Sequence, residues 1–238
     1  MSRIEPAFAD DPSFQSRRSF FRRAGFGLGA AALATSLQAC DTGEPEEPME
    51  DDDVILDFSD DFGVLNYAYA LEQLEAAFYA TVTGASGFSD IFDADEQTIM
   101  RDLAAHEAIH RDFFEAAISG AGGTPIPGLT PNFDAVDFGD RASVLATALT
   151  FEDLGVSAYN GAGKYIQSSV YLTLAGKIVS VEARHASVVA GLITPNAIAG
   201  DDQIDENGLD LAREPGAVLS AASDFIEDTI VVRNIPSA

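Results

Sequence analysis

The feature that most narrows what this chain can fold into is a duplicated pattern of glutamate, tyrosine and histidine. One half reads Glu72-Gln-Leu-Glu-Ala-Ala-Phe-Tyr79, followed by Glu107-Ala-Ile-His110. The other reads Glu152-Asp-Leu-Gly-Val-Ser-Ala-Tyr159, followed by Glu182-Ala-Arg-His185. Each tyrosine lies seven residues after its glutamate, two helical turns along one face. Each Glu-x-x-His pair has the i, i+3 spacing that puts both side chains on one face, with Cβ atoms about 5–6 Å apart. Such a carboxylate and imidazole can reach the same metal ion.

Helical spacing of apolar residues surrounds these motifs and predicts four long helices, over about 60–83, 94–119, 141–167 and 170–193. Asp93 and Asp140 stand at N-cap positions, and Glu96 is placed to complete a capping box with Asp93. Pro195 ends the fourth helix. The first and second helices, and the third and fourth, are joined by short links, so each pair packs antiparallel. The middle link, 120–139, is rich in glycine and proline and lacks a strand pattern. A loop of about 20 residues is unusual inside a domain, but a bundle with one long crossover needs a segment that travels its length. A short last helix is expected over 215–231, with Pro215 in its first turn. The expected fold is all-α: a four-helix bundle with one long crossover and a short C-terminal helix.

The N-terminus reads as an address. Ser16-Arg17-Arg18-Ser19-Phe20-Phe21-Arg22 resembles the twin-arginine export motif, and a Gly/Ala-rich apolar stretch from Ala24 to Leu37 follows. That stretch has the length of a signal h-region and is too short to span a bilayer. It ends in Leu37-Gln38-Ala39-Cys40, which resembles a lipoprotein cleavage box with Cys40 as the acylated residue. Acyl chains contribute about 0.8 kcal/mol per buried CH2, enough for two or more to hold a protein at a membrane. Residues 1–39 are thus expected to be a signal peptide, 40–58 an acidic flexible tether, and 59–238 the folded domain. Cys40 is the sole cysteine, which excludes a disulfide within the chain.

Net charge is −26, and its distribution is uneven. Five of 13 basic residues precede Cys40, against three of 39 acidic ones, so the remainder carries −28. A surface of that sign repels nucleic acid and anionic lipid. It suits salty surroundings, where screening relieves self-repulsion.

The duplicated motifs sit among Leu71, Leu74 and Phe78 in one half and Ile178, Val181, Val188 and Val189 in the other. Four carboxylates in an apolar core repel one another and cost several kcal/mol each to ionise. Two divalent cations cancel their charge, and neutral imidazoles complete the coordination. Oxygen-rich, nitrogen-poor ligation suits iron or manganese.

At this point the sequence resembles the ferritin-like superfamily of di-iron carboxylate proteins. The segment from Leu65 to Tyr79 looks especially like its exported, desiccation-related group. The resemblance, over about 60–193, implies that Glu72, Glu107, His110, Glu152, Glu182 and His185 are metal ligands, with Glu107 and Glu182 bridging. It implies two iron ions, or manganese, and an oxidoreductase that activates oxygen or peroxide or oxidises ferrous iron in stress protection. A non-catalytic helical bundle with a structural or degenerate site is the alternative. The expected partners are those small substrates, a membrane through Cys40 and a second copy of the chain, with no nucleic acid. Glu75, one turn after Glu72, competes with it as the first-helix ligand; the spacing to tyrosine favours Glu72. Tyr79 and Tyr159 read as core tyrosines hydrogen-bonded near the site. His106 points about 100° away from the face of Glu107 and reads as a surface residue or a support behind a ligand.

Overall fold

The computed structural model describes residues 53–200 and 203–236. The twin-arginine segment, Cys40 and the tether up to residue 52 lie outside the described residues. Within them the chain runs β1 (Val54–Asp57), α1 (Asp61–Gly84), a single turn α2 (Phe88–Ile91), α3 (Ala94–Gly120), α4 (Arg141–Ala162), α5 (Ser169–Ile193), α6 (Pro215–Ala222) and β2 (Ile230–Arg233). Four long helices form the expected ferritin-like bundle, with α1 packed along α3 and α4 along α5.

Local chemistry starts each helix where the sequence predicts. The Asp60 carboxylate accepts from the Phe62 N–H, and that of Asp140 from the Ala142 N–H. Asp93 and Glu96 form a complete capping box: Asp93 accepts from the Asp95 and Glu96 N–H groups, and Glu96 accepts from the Asp93 N–H. These bonds satisfy amide groups that a helix start leaves without partners. Helix α1 is the axis of the fold. It buries residues on all sides, among them Leu65, Tyr67, Tyr69, Leu71, Leu74, Phe78 and Tyr79.

Two amides on α1 hold the long crossover against it. Asn66 donates from Nδ2 to the Thr124 carbonyl and accepts from the Ile126 N–H. Two turns on, Gln73 donates to the Pro127 carbonyl and accepts from the Leu129 N–H. A loop without secondary structure would leave such backbone groups unpaired where it is buried; here the helix supplies the partners. Phe78, Phe133, Phe138, Phe151 and Phe225 form an aromatic cluster, with Phe151 and Phe225 ring centres 4.7 Å apart.

The structure differs from the sequence reading in three places. Helix α4 ends at Ala162 instead of running to 167. The chain goes on in a 3-10 turn, Gly163–Tyr165, and the last α-helical turn is closely crossed by other backbone: a Cβ at Gly161 would lie 1.8 Å from the Arg213 carbonyl oxygen. The C-terminal helix ends at Ala222, not 231, and the β-branched run Ile230-Val231-Val232 forms β2. Finally, Val54–Asp57, inside the stretch read as tether, is strand β1. It pairs in parallel with β2, from Val54 opposite Ile230 to Asp57 opposite Arg233, and buries Val54 and Leu56 in the core. Among the described residues no helix is long and apolar enough to cross a membrane.

Candidate metal centre

All six predicted ligand side chains converge midway along the bundle. Glu72, Glu107, Glu152 and Glu182 are fully buried, His185 is 4% exposed, and His110 is half-buried. Each long helix brings its share because the motif spacing lines one face: Glu72 from α1, Glu107 and His110 from α3, Glu152 from α4, Glu182 and His185 from α5.

The six form two overlapping sets. Glu72, Glu107, His110 and Glu182 each offer one donor atom within 4.8 Å of the others, and so do Glu107, Glu152, Glu182 and His185. Glu107 and Glu182 belong to both, which is the arrangement of a bridging pair. Contacts inside the sets are short: His185 Nδ1 is 2.7 Å from Glu107 Oε1, and His110 Nδ1 is 2.8 Å from Glu182 Oε1. None is aimed as a hydrogen bond. Glu72 Oε2, both oxygens of Glu107, Glu152 Oε2, both oxygens of Glu182, and Nδ1 of His110 and His185 are all buried without a directed partner. Donor atoms gathered this closely are within reach of shared metal ions. Buried polar atoms without partners are otherwise costly and rare.

The remaining two carboxylate oxygens are accounted for. Tyr79 Oη donates to Glu152 Oε1 at 2.6 Å, and Tyr159 Oη donates to Glu72 Oε1. The tyrosines cross the duplication: each half's tyrosine holds the other half's glutamate. Glu72 and Glu152 thereby each keep one oxygen free of a tyrosine, while Glu107 and Glu182, which belong to both sets, keep two. Burial and the facing carboxylates push both phenols well above their usual range, so they stay protonated donors.

Without ions, protons balance the charge. Burial alone would lower the two imidazoles, but the oxygens facing His110 (Glu107, Glu182, Glu72) and His185 (Glu107, Glu152, Glu182) outweigh it and push both up to about 12. Burial alone would raise Glu107; the two imidazoles facing it hold it at about 2. Burial, helped by Glu182 and Glu107, lifts Glu152 to about 8 against the pull of His185. Glu72 is raised well above the carboxylate range, by burial first and then by Glu182 and Glu107.

Glu75 is buried but belongs to neither ligand set. Its mate in the duplication is Gly155, where a Cβ would lie 3.0 Å from Glu75 Oε1. The missing side chain makes room for a fifth carboxyl that the second half lacks. Burial, then Glu182 and Glu107, raise it well above its ordinary value, so it sits in the core as a neutral acid. His106 is exposed, yet its Nδ1 lies 2.9 Å from His185 Nε2. Helical spacing indicates its direction on α3 but not the histidine it meets on α5.

Residues 60–195, more than half of the chain, match the ferritin-like domain family. The chain belongs to that family. No curated protein matches it. The ferritin-like bundle and its carboxylate–histidine sets together make a site able to hold metal ions.

Two outcomes follow from this geometry. Ions must displace the protons on His110, His185, Glu152 and Glu72, so loading at neutral pH releases about four protons and affinity climbs with pH. The dependence of calorimetric binding heat on buffer ionisation measures that number; a proton-neutral reaction contradicts the arrangement. Glu72→Gln should lower the bound metal from two ions to one or weaken one ion at least tenfold, whereas Glu75→Gln should leave two ions bound. Elemental analysis of the two dialysed variants checks this.

Proposed function

We propose that this ferritin-like domain holds a di-iron centre that reacts with oxygen or peroxide, or oxidises ferrous iron, at the cell envelope. The observation that carries the reading is the convergence of four buried carboxylates and two imidazoles from four helices in two overlapping sets whose donor atoms lie within 4.8 Å of one another. Four carboxylates and two imidazoles form a hard, oxygen-rich donor set that suits iron, with manganese as the other cation of that chemistry. Bound iron supplies redox equivalents and Lewis acidity.

The chain's own residues contribute the rest. Tyr159 and Tyr79 fix the terminal glutamates in one orientation, which leaves each of them a single ligand oxygen. Leu71, Leu74, Phe78 and Phe151 exclude bulk water around them. A small apolar cleft lined by Leu65, Ala68, Leu71, Phe114 and Ala158 reaches Tyr159, the residue that holds Glu72. Such a lining favours a neutral, apolar molecule such as dioxygen. The acidic exterior concentrates ferrous ions at the same time.

The resemblance of residues 16–22 to a twin-arginine motif and of residues 37–40 to a lipoprotein cleavage box supports export and a lipid anchor at Cys40. Export of an already folded protein allows metal loading first.

Protein loaded with two equivalents of ferrous iron without oxygen should consume oxygen on exposure and develop near-ultraviolet absorbance within the mixing experiment. Glu107→Ala, which removes a bridging carboxylate, should lose both the stoichiometry and the reaction. A fully loaded parent that stays unchanged in oxygen and in peroxide would assign the bundle a non-catalytic role. For the anchor, Cys40→Ser should move the protein from the membrane fraction to the soluble fraction; unchanged partition would refute lipidation.

A further inference from the structure

We propose that His106 is a positioning residue that makes the two halves of the centre unequal, with the His185 half the tighter metal position. The inference rests on the dinuclear reading above and adds a residue and an order of filling to it.

His106 Nδ1 and His185 Nε2 are 2.9 Å apart, with the two rings within 15° of a common plane. His185 turns its other nitrogen, Nδ1, toward Glu107, Glu152 and Glu182. An imidazole that offers a lone pair at Nδ1 carries its hydrogen on Nε2. The His185 Nε2–H therefore donates to His106 Nδ1, and His106 carries its own hydrogen on Nε2. Both tautomers are set by one contact. The bond also ties α3 to α5 directly beside the bridging Glu107.

The other half has no such support. The duplication aligns His106 with Val181, each one residue before a bridging glutamate. Valine accepts no hydrogen bond. Among the described residues, no hydrogen bond reaches His110 Nε2, and its ring is more open to solvent than that of His185: 12% against 5% for the side chains. A ligand histidine whose far nitrogen is hydrogen-bonded is pre-oriented and more basic, and loss of such a partner typically costs 10–100-fold in metal affinity. Because only His185 has that partner, the set Glu107, Glu152, Glu182 and His185 fills first.

The test uses cobalt(II) alone as the probe, titrated into the metal-free protein with binding followed by calorimetry and by the ligand-field spectrum. The parent should show two unequal steps. His106→Leu should weaken the tighter step about 10–100-fold and leave the weaker one in place. His106→Asn, whose Oδ1 can accept from the same direction, should recover most of the loss; a residue that mattered only for packing would not be rescued in this way. His106 is exposed, so metal-free melting temperatures of both variants should stay near that of the parent. Two equal steps in the parent, an unchanged tighter step in His106→Leu, or a loss that His106→Asn leaves in place overturns the proposal. A parent that takes up fewer than two ions overturns the dinuclear centre itself, and this inference with it.

Discussion

Four carboxylates and two imidazoles share one dry volume between four helices, and the balance of their charge is the constraint on which everything else depends. Metal-free, the site redistributes protons: the imidazoles become cations, Glu107 stays an anion, and Glu72, Glu75 and Glu152 are driven toward their neutral forms. That solution leaves eight donor atoms without directed partners. Metal ions bound among these donor atoms would take the place of the protons. The site is intelligible as an unfinished coordination shell and hard to explain as a packing motif.

The bundle around it acts to keep that shell open and rigid. The two tyrosines brace terminal glutamates across the duplication, so neither can turn both oxygens inward. Asn66 and Gln73 hold the crossover on α1, the helix that carries Glu72. The aromatic cluster packs α1 against α4 and the crossover, and β1, paired with β2, packs on α1. Rigid elements matter here because a ligand displaced by one ångström no longer shares an ion with its neighbours.

Much of this was legible because helical spacing is local. Glu107 and His110 announce a shared face within four residues, and so do Glu182 and His185. The caps at Asp60, Asp93 and Asp140 likewise depend only on the residues that follow them. What escaped the sequence depends on pieces far apart in the chain. Ile230-Val231-Val232 carries a β-branched signal, but its partner Val54 lies at the other end of the domain, and the run was absorbed into a helix. Gly161 admits the backbone at Arg213, more than fifty residues away, against the last turn of α4. Glu72 and Glu75 share a helix one turn apart; the tyrosine spacing favours Glu72, while the burial of Glu75 against Gly155, outside both sets, is seen only in the fold. His106 could be placed off the ligand face, yet its neighbour on α5 belongs to tertiary structure.

The most direct test of the central claim is anomalous diffraction at the iron edge from crystals grown after anaerobic loading. The account predicts two iron peaks, one among Glu72, Glu107, His110 and Glu182 and the other among Glu107, Glu152, Glu182 and His185. Iron-replete crystals with no peak inside the bundle, or with His110 and His185 turned away from the four carboxylates, would contradict it.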